Sequence, residues 1–123
     1  MRLIWSSFLA LLLVLPLAAR ADTFLLMAEE HGCPWCEQWD EEISHIYPKT
    51  LEGKVAPLRR FDLHSGWPKN VTFDRPVHFT PTFVLVVDGV EKGRIEGYPG
   101  EDFFWPMLSI LFERAQLDVG AAG

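Results

Sequence analysis

Cysteine is scarce in this chain of 123 residues: there are two, Cys33 and Cys36. A pair cannot build a disulfide-rich scaffold, nor can it supply a four-cysteine zinc site. Basic residues are also in the minority, 11 Lys and Arg against 17 Asp and Glu, for a formal charge of −6. Nucleic-acid binding needs a basic face to neutralise phosphate, and this balance argues against it. Proline and glycine number 9 each, too few for a collagen-like or low-complexity chain. No apolar run reaches the roughly 20 residues that span a bilayer, so no stable membrane insertion is expected. What is left is an ordinary globular composition, 49 % hydrophobic and 23 % charged, in a length that suits one domain.

The longest apolar run, Leu3 to Leu17, is broken at Ser6, Ser7 and Pro16 and follows a short basic start at Met1-Arg2. Ala19-Arg20-Ala21 then fits the small-x-small pattern of signal peptidase cleavage. Residues 1–21 are expected to be a signal peptide cut before Asp22, residues 22–118 one folded domain, and residues 119–123 a disordered tail. Cleavage removes Arg2 and Arg20 and no acid, so the exported chain is more acidic than the whole. Export also sets the redox context, because outside the cytosol a cysteine pair tends to oxidise unless something reduces it.

Thr23 to Ala28 is a short apolar run that suits a strand buried on both faces. Trp39, Ile43, Ile46 and Tyr47 recur at helical spacing, which predicts a helix from about Pro34 to Tyr47. Pro34 suits its first turn, and Pro48 helps to end it. Val55 to Leu63 reads as a second strand, and His64 to Thr80 as a loop with one helical turn at most. Thr82 to Val87 is the clearest strand; Asp88-Gly89 is a hairpin signal leading to its antiparallel partner, Val90 to Glu96. Phe104, Leu108, Leu111 and Ala115 mark the apolar face of a last helix, with Pro106 either near its start or kinking it. The first two strands need a right-handed crossover and should lie parallel.

Cys33-Pro34-Trp35-Cys36 falls between a buried strand and the first turn of a helix. There, unpaired backbone N–H groups and the helix dipole stabilise negative charge. Thiolates in C-x-x-C motifs accordingly have pKa values from roughly 3.5 to 7.5. Cys33, at the helix mouth, is expected to be exposed and to attack a partner's disulfide. Cys36, one turn in, is expected to be more buried and to resolve the mixed disulfide. Other chemistries compete for the pair. A structural bridge would close a very small loop and constrain the unfolded chain little. A c-type haem site is excluded, because Glu37 stands where His is required. His31, His45, His64 and His78 lack the spacing of zinc partners, and of these His31 is the one near enough the pair to test. A copper(I) site on the two thiolates is chemically sound. Redox exchange is the reading this position favours.

Thr80-Pro81-Thr82 stands before the clearest strand, the Asp88-Gly89 hairpin follows, and Gly97 precedes the last helix. With these features the chain from Asp22 to Gln116 resembles the thioredoxin superfamily. The resemblance implies an α/β, near-minimal thioredoxin-like fold: a mixed four-stranded sheet flanked by helices, in the order strand, helix, strand, loop, strand, strand, helix. It implies that Pro81 is cis and packs against the cysteines. It implies too that the backbone of Thr80 pairs with an extended substrate segment, and that Trp35 forms an apolar rim beside Cys33. No cofactor and no metal are implied, since the cysteine pair carries the two electrons. The implied partners are a protein with a disulfide or modified cysteine and an upstream electron donor, a membrane thiol reductase. A monomer is expected.

Within that superfamily the chain is similar to the small periplasmic thioredoxins of bacterial sulfur-oxidation (Sox) gene clusters. The likeness lies in His31-Gly32-Cys33-Pro34-Trp35-Cys36, the short segment before it, and the turn Gly97-Tyr98-Pro99-Gly100-Glu101 ahead of Phe103-Phe104-Trp105. It implies a periplasmic reductase that keeps a sulfur-carrier protein active by reducing its blocked cysteine. There are departures from the thioredoxin pattern. Gly32 replaces the usual Trp before the motif, and Met27 takes the place of a buried Asp that aids proton transfer to the resolving Cys. Glu29 or Glu30 could substitute if the chain folds back. Glu37, Asp40, Glu41 and Glu42 crowd the helix start; near Cys33 they would raise the thiolate pKa and disfavour a strong oxidant. The rival readings are a copper(I) metallochaperone using the same cysteines and an oxidase of exported proteins.

Overall fold

The computed structural model describes residues 22–120; the expected signal peptide lies outside the described residues. Four strands form one sheet: β1 (Thr23–Glu29), β2 (Leu58–Asp62), β3 (Thr82–Val87) and β4 (Val90–Glu96), in the spatial order β2-β1-β3-β4. β1 lies parallel to β2 and antiparallel to β3, and β3 and β4 form the hairpin. β1 is therefore central, which accounts for its unbroken apolar run. Among the described residues three α-helices accompany the sheet: α1 (Pro34–Trp39), α2 (Leu51–Val55) and α3 (Glu101–Arg114).

Side-chain alternation sorts the sheet into two faces. Leu25, Met27, Phe83, Leu85 and Ile95 point to one face, where Trp39 and Ile43 meet Phe104, Leu108 and Phe112 of α3 in the main core. Phe24, Leu26, Ala28, Val84 and Val86 point to the other, with Phe61 of β2 beside them, and Leu63, Val71, Phe73 and Val77 pack there. Both long helical segments thus cover the same face, and the loop after β2 covers the opposite one. That loop contains no helical turn; its apolar residues work as a lid. At β4, Gly93 lets α3 come close, since a Cβ there would lie 2.5 Å from Leu111 Cδ1. Among the described residues no helix is long and apolar enough to cross a membrane.

Several boundaries differ from the sequence reading, each for a local reason. The expected helix from Pro34 to Tyr47 is α for six residues and then widens into a π segment, Asp40–Ser44. Trp39, Ile43 and Tyr47 stay fully buried, while Ile46 is left 37 % exposed. The expected strand from Val55 begins only at Leu58, because Thr50 caps a short helix first: its Oγ1 accepts from Gly53 N–H at 3.0 Å. Arg59 and Arg60 sit in β2 because it is an edge strand with an open side. α3 starts at Glu101 and runs through Pro106. Val119, inside the segment expected to be a tail, packs with Leu117 against the main core, where their apolar area is removed from water.

Gly53 stands where α2 crosses the preceding turn, and a Cβ there would lie 1.9 Å from Tyr47 O. Helix propensity alone favours Gly→Ala by about 1 kcal/mol. The clash reverses that sign, and Gly53→Ala is expected to destabilise the domain by about 1–3 kcal/mol, the usual cost of overpacking. Denaturant unfolding measures it; a stabilised variant would show that α2 can move away.

Candidate active site

The pairing Ala28↔Thr82 brings the start of β3 beside the end of β1. The segment leaving β1, Glu30 to Gly32, and the segment entering β3, Phe79 to Pro81, therefore meet at one edge of the sheet. Gly32 adopts φ 76°, a left-handed turn that glycine takes without penalty. Cys33 follows as the N-cap of α1, with Pro34 in its first turn. Cys33 and Cys36 are joined by a disulfide, with Cα atoms 5.3 Å apart. Cys33 Sγ also accepts from the Cys36 N–H at 3.2 Å. The sulfur thus sits against a backbone donor at the helix mouth, where negative charge is favoured.

The expected contrast in exposure is not found. Cys33 is 6 % and Cys36 4 % exposed. Cys33 Sγ lies over the first turn, joined to Cys36 and against its N–H, and both cysteines pack into the main core. The surroundings carry the exposure. Trp35 is 57 % and Phe79 60 % exposed. Trp35 shares a shallow hollow with Glu96, Gly97, Tyr98, Pro99 and Met107, and Phe79 and Thr80 share another with Glu96 and Gly97. The two hollows meet at the Glu96-Gly97 turn, so Trp35 and Thr80 flank the same piece of chain. The Thr80–Pro81 bond is cis, as the resemblance implied, and Pro81 C=O accepts from Gly97 N–H at 2.7 Å.

Two of the four acids at the start of the motif helix, Asp40 and Glu42, are engaged. Arg60 reaches across from β2 to Asp40 at 2.6 Å and Glu29 at 2.8 Å. Glu42 accepts from Gln38 at 2.8 Å and from the Tyr98 hydroxyl. These bonds, that from Tyr98 foremost, hold the Glu42 carboxyl below its ordinary pKa, while burial and the adjoining carboxylate push Tyr98 up. Glu37 and Glu41 face solvent. Met27 is fully buried, so no acid occupies the inner position under the cysteines. Of the two proposed substitutes, Glu29 is held by Arg60 and Glu30 by Thr80 and His64. His31 is exposed. The cysteine sulfurs are soft donors, and among the described residues no three His, Cys, Asp or Glu side chains gather as metal ligands would. Phe79, Tyr98 and Glu30 were not picked out as rim or support residues from sequence. Phe79 carried one signal, an apolar residue directly before Thr80-Pro81 in a polar loop.

A pair of sulfurs that can be joined or parted at a helix mouth, bordered by an apolar rim, makes this chain a thiol–disulfide oxidoreductase. No family model matches it, and no curated protein matches it in sequence. Among solved structures, the periplasmic thioredoxin SoxS from Paracoccus pantotrophus, crystallised in its reduced form, is similar at 53 % identity. The match covers 76 % of this chain and 98 % of that one, with a TM-score of 0.73. The chain belongs to the thioredoxin superfamily, and its likeness lies with the small periplasmic thioredoxins of the Sox type.

The Tyr98–Glu42 bond ties the turn beside Trp35 to the π segment. A carboxylate with a lowered folded pKa contributes stability that is full above the ordinary carboxylate range and lost as pH falls from there through the lowered folded value. Tyr98→Phe should raise the Glu42 pKa, lower stability near neutral pH and flatten the acid-side decline. Carboxyl-carbon NMR of Glu42 measures the first effect; an unmoved titration would remove Tyr98 as the cause.

Proposed function

We propose that this protein is a periplasmic reductase of protein disulfides and mixed disulfides, acting on the blocked cysteine of a sulfur-oxidation carrier protein. The observation that carries the reading is Cys33 Sγ held against the Cys36 N–H at the start of α1. In the reduced protein the Cys33 thiolate attacks a substrate disulfide. One S–S bond forms to Cys33, and one substrate thiolate leaves. The Cys36 thiolate then attacks Cys33 Sγ, closing the internal disulfide and releasing the second substrate thiol. Two electrons pass to substrate, and a dithiol donor, which we assign to a membrane thiol reductase, returns them.

Docking uses the same groove. Thr80 offers its backbone to an extended substrate segment as an added strand. Pro81 lacks an N–H and so keeps a competing donor out of the groove, and Trp35 and Phe79 provide the apolar rim. The reductase direction is supported by the exposed Glu37 in the first turn of α1 and by Arg60 being committed to Asp40 and Glu29. An acid near the helix mouth, with the Arg60 guanidinium engaged by Asp40 and Glu29, does not favour the very stable thiolate of a strong oxidant. Export is supported by the basic-then-apolar segment ending at Ala19-Arg20-Ala21. The working unit is taken as a monomer.

Cys33→Ser should abolish exchange, whereas Cys36→Ser should still attack and accumulate mixed disulfides, whose attached proteins identify the substrate. The reduction potential should lie nearer the thioredoxin value, about −270 mV, than the oxidising value of about −120 mV. A potential near the latter would replace the reductase with an oxidase. Tight copper(I) binding without disulfide reduction would replace it with a metallochaperone.

A further inference from the structure

The exchange steps leave one well-placed carboxylate without a role. Glu30 Oε1 accepts from Thr80 Oγ1 at 2.6 Å, and Oε2 pairs with His64 Nε2 at 2.6 Å. The three residues come from the exit of β1, the approach to β3 and the turn after β2. With both oxygens engaged, Thr80 foremost, the Glu30 carboxyl stays below its ordinary pKa and so remains an acceptor near neutral pH. The peptide groups around Thr80 are tied as well. Phe79 C=O accepts from Thr82 Oγ1 at 2.7 Å, and Pro81 C=O from Gly97 N–H at 2.7 Å. Thr80's own N–H and C=O have no partner among the described residues. Thr80 Oγ1 is two bonds from Cα, so a bond that holds the hydroxyl also holds the free peptide edge.

We propose that Glu30 is a positioning residue for thiol exchange: braced by His64, it holds Thr80 so that the free N–H and C=O face an incoming extended segment. The proposal rests on the reading of Thr80–Pro81 as the docking edge. It assigns Glu30 no proton and no electron. The gain is preorganisation, because an edge already held in place need not be ordered when substrate arrives.

Reduction of insulin, which needs the groove, is compared with reduction of DTNB, a small aromatic disulfide that needs it far less. Glu30→Ala should raise KM for insulin roughly tenfold, the worth of one modest hydrogen bond, with a much smaller change for DTNB. Glu30→Gln keeps an oxygen for Thr80 and should recover most of the loss. Thr80→Val should resemble Glu30→Ala and add little to it in the double variant. An unchanged KM in Glu30→Ala, or equal losses on both substrates, overturns the proposal. If the wild type reduces DTNB but not insulin, the docking edge itself has failed. The clamp is then read from the Thr80 amide resonance, which should move in Glu30→Ala and return in Glu30→Gln; a resonance unmoved in Glu30→Ala overturns it.

Discussion

The structure depends first on the antiparallel register of β1 with β3. Ala28 opposite Thr82 places the chain leaving β1 next to the chain entering β3. One of these segments carries the cysteines and the other carries Pro81. A one-residue slip would turn every apolar side chain of β1 to the wrong face. The register is secured on both sides, because Leu25 and Met27 are buried in one core while Phe24, Leu26 and Ala28 are buried in the other. The site therefore inherits its precision from the two interior strands of the sheet, β1 and β3.

Beneath the site lies a nest of rings. Trp39 is 5.1 Å from Phe83 and 5.9 Å from Phe104 between ring centroids, and Phe83 and Phe104 are 5.1 Å apart. Pairs at these distances and tilts are favourable beyond their buried area. They fasten the motif helix, β3 and α3 to one another, which matters for a helix of six residues that could not stand alone. Trp39 Nε1 is buried without a hydrogen-bond partner, a local cost set against this packing. Arg60 closes the outer side, with its guanidinium 5.5 Å from the Trp39 ring and its charge shared between Glu29 and Asp40.

Some of this was legible in the residues alone. The strands at Thr23, Thr82 and Val90, the hairpin between the last two, the apolar face of the last helix and the cysteine motif at a helix start all follow from periodicity and turn chemistry within short windows. The widening of the motif helix after Trp39 was not legible, because a π segment leaves the apolar spacing in the sequence as it is and changes only the number of residues per turn. Nor was the late start of β2, where Thr50 and a close approach to Tyr47 favour a short helix over an extended run. The loop after β2 looked featureless because its apolar residues answer to the sheet face beneath them rather than to one another.

The sequence by itself determined which atoms can react, since local chemistry alone puts two thiols at the mouth of a helix. Tertiary structure decided what surrounds them. Glu30, His64 and Thr80 are brought together across separations of 34 and 50 residues. Tyr98 finds Glu42 across 56. No local pattern encodes such pairs, because each follows from strand register and from which side chains the core leaves at the edge. The low exposure of Cys33 has the same kind of origin: its sulfur lies over its own helix turn, joined to Cys36, and the residues of the main core that pack around it come from distant parts of the chain.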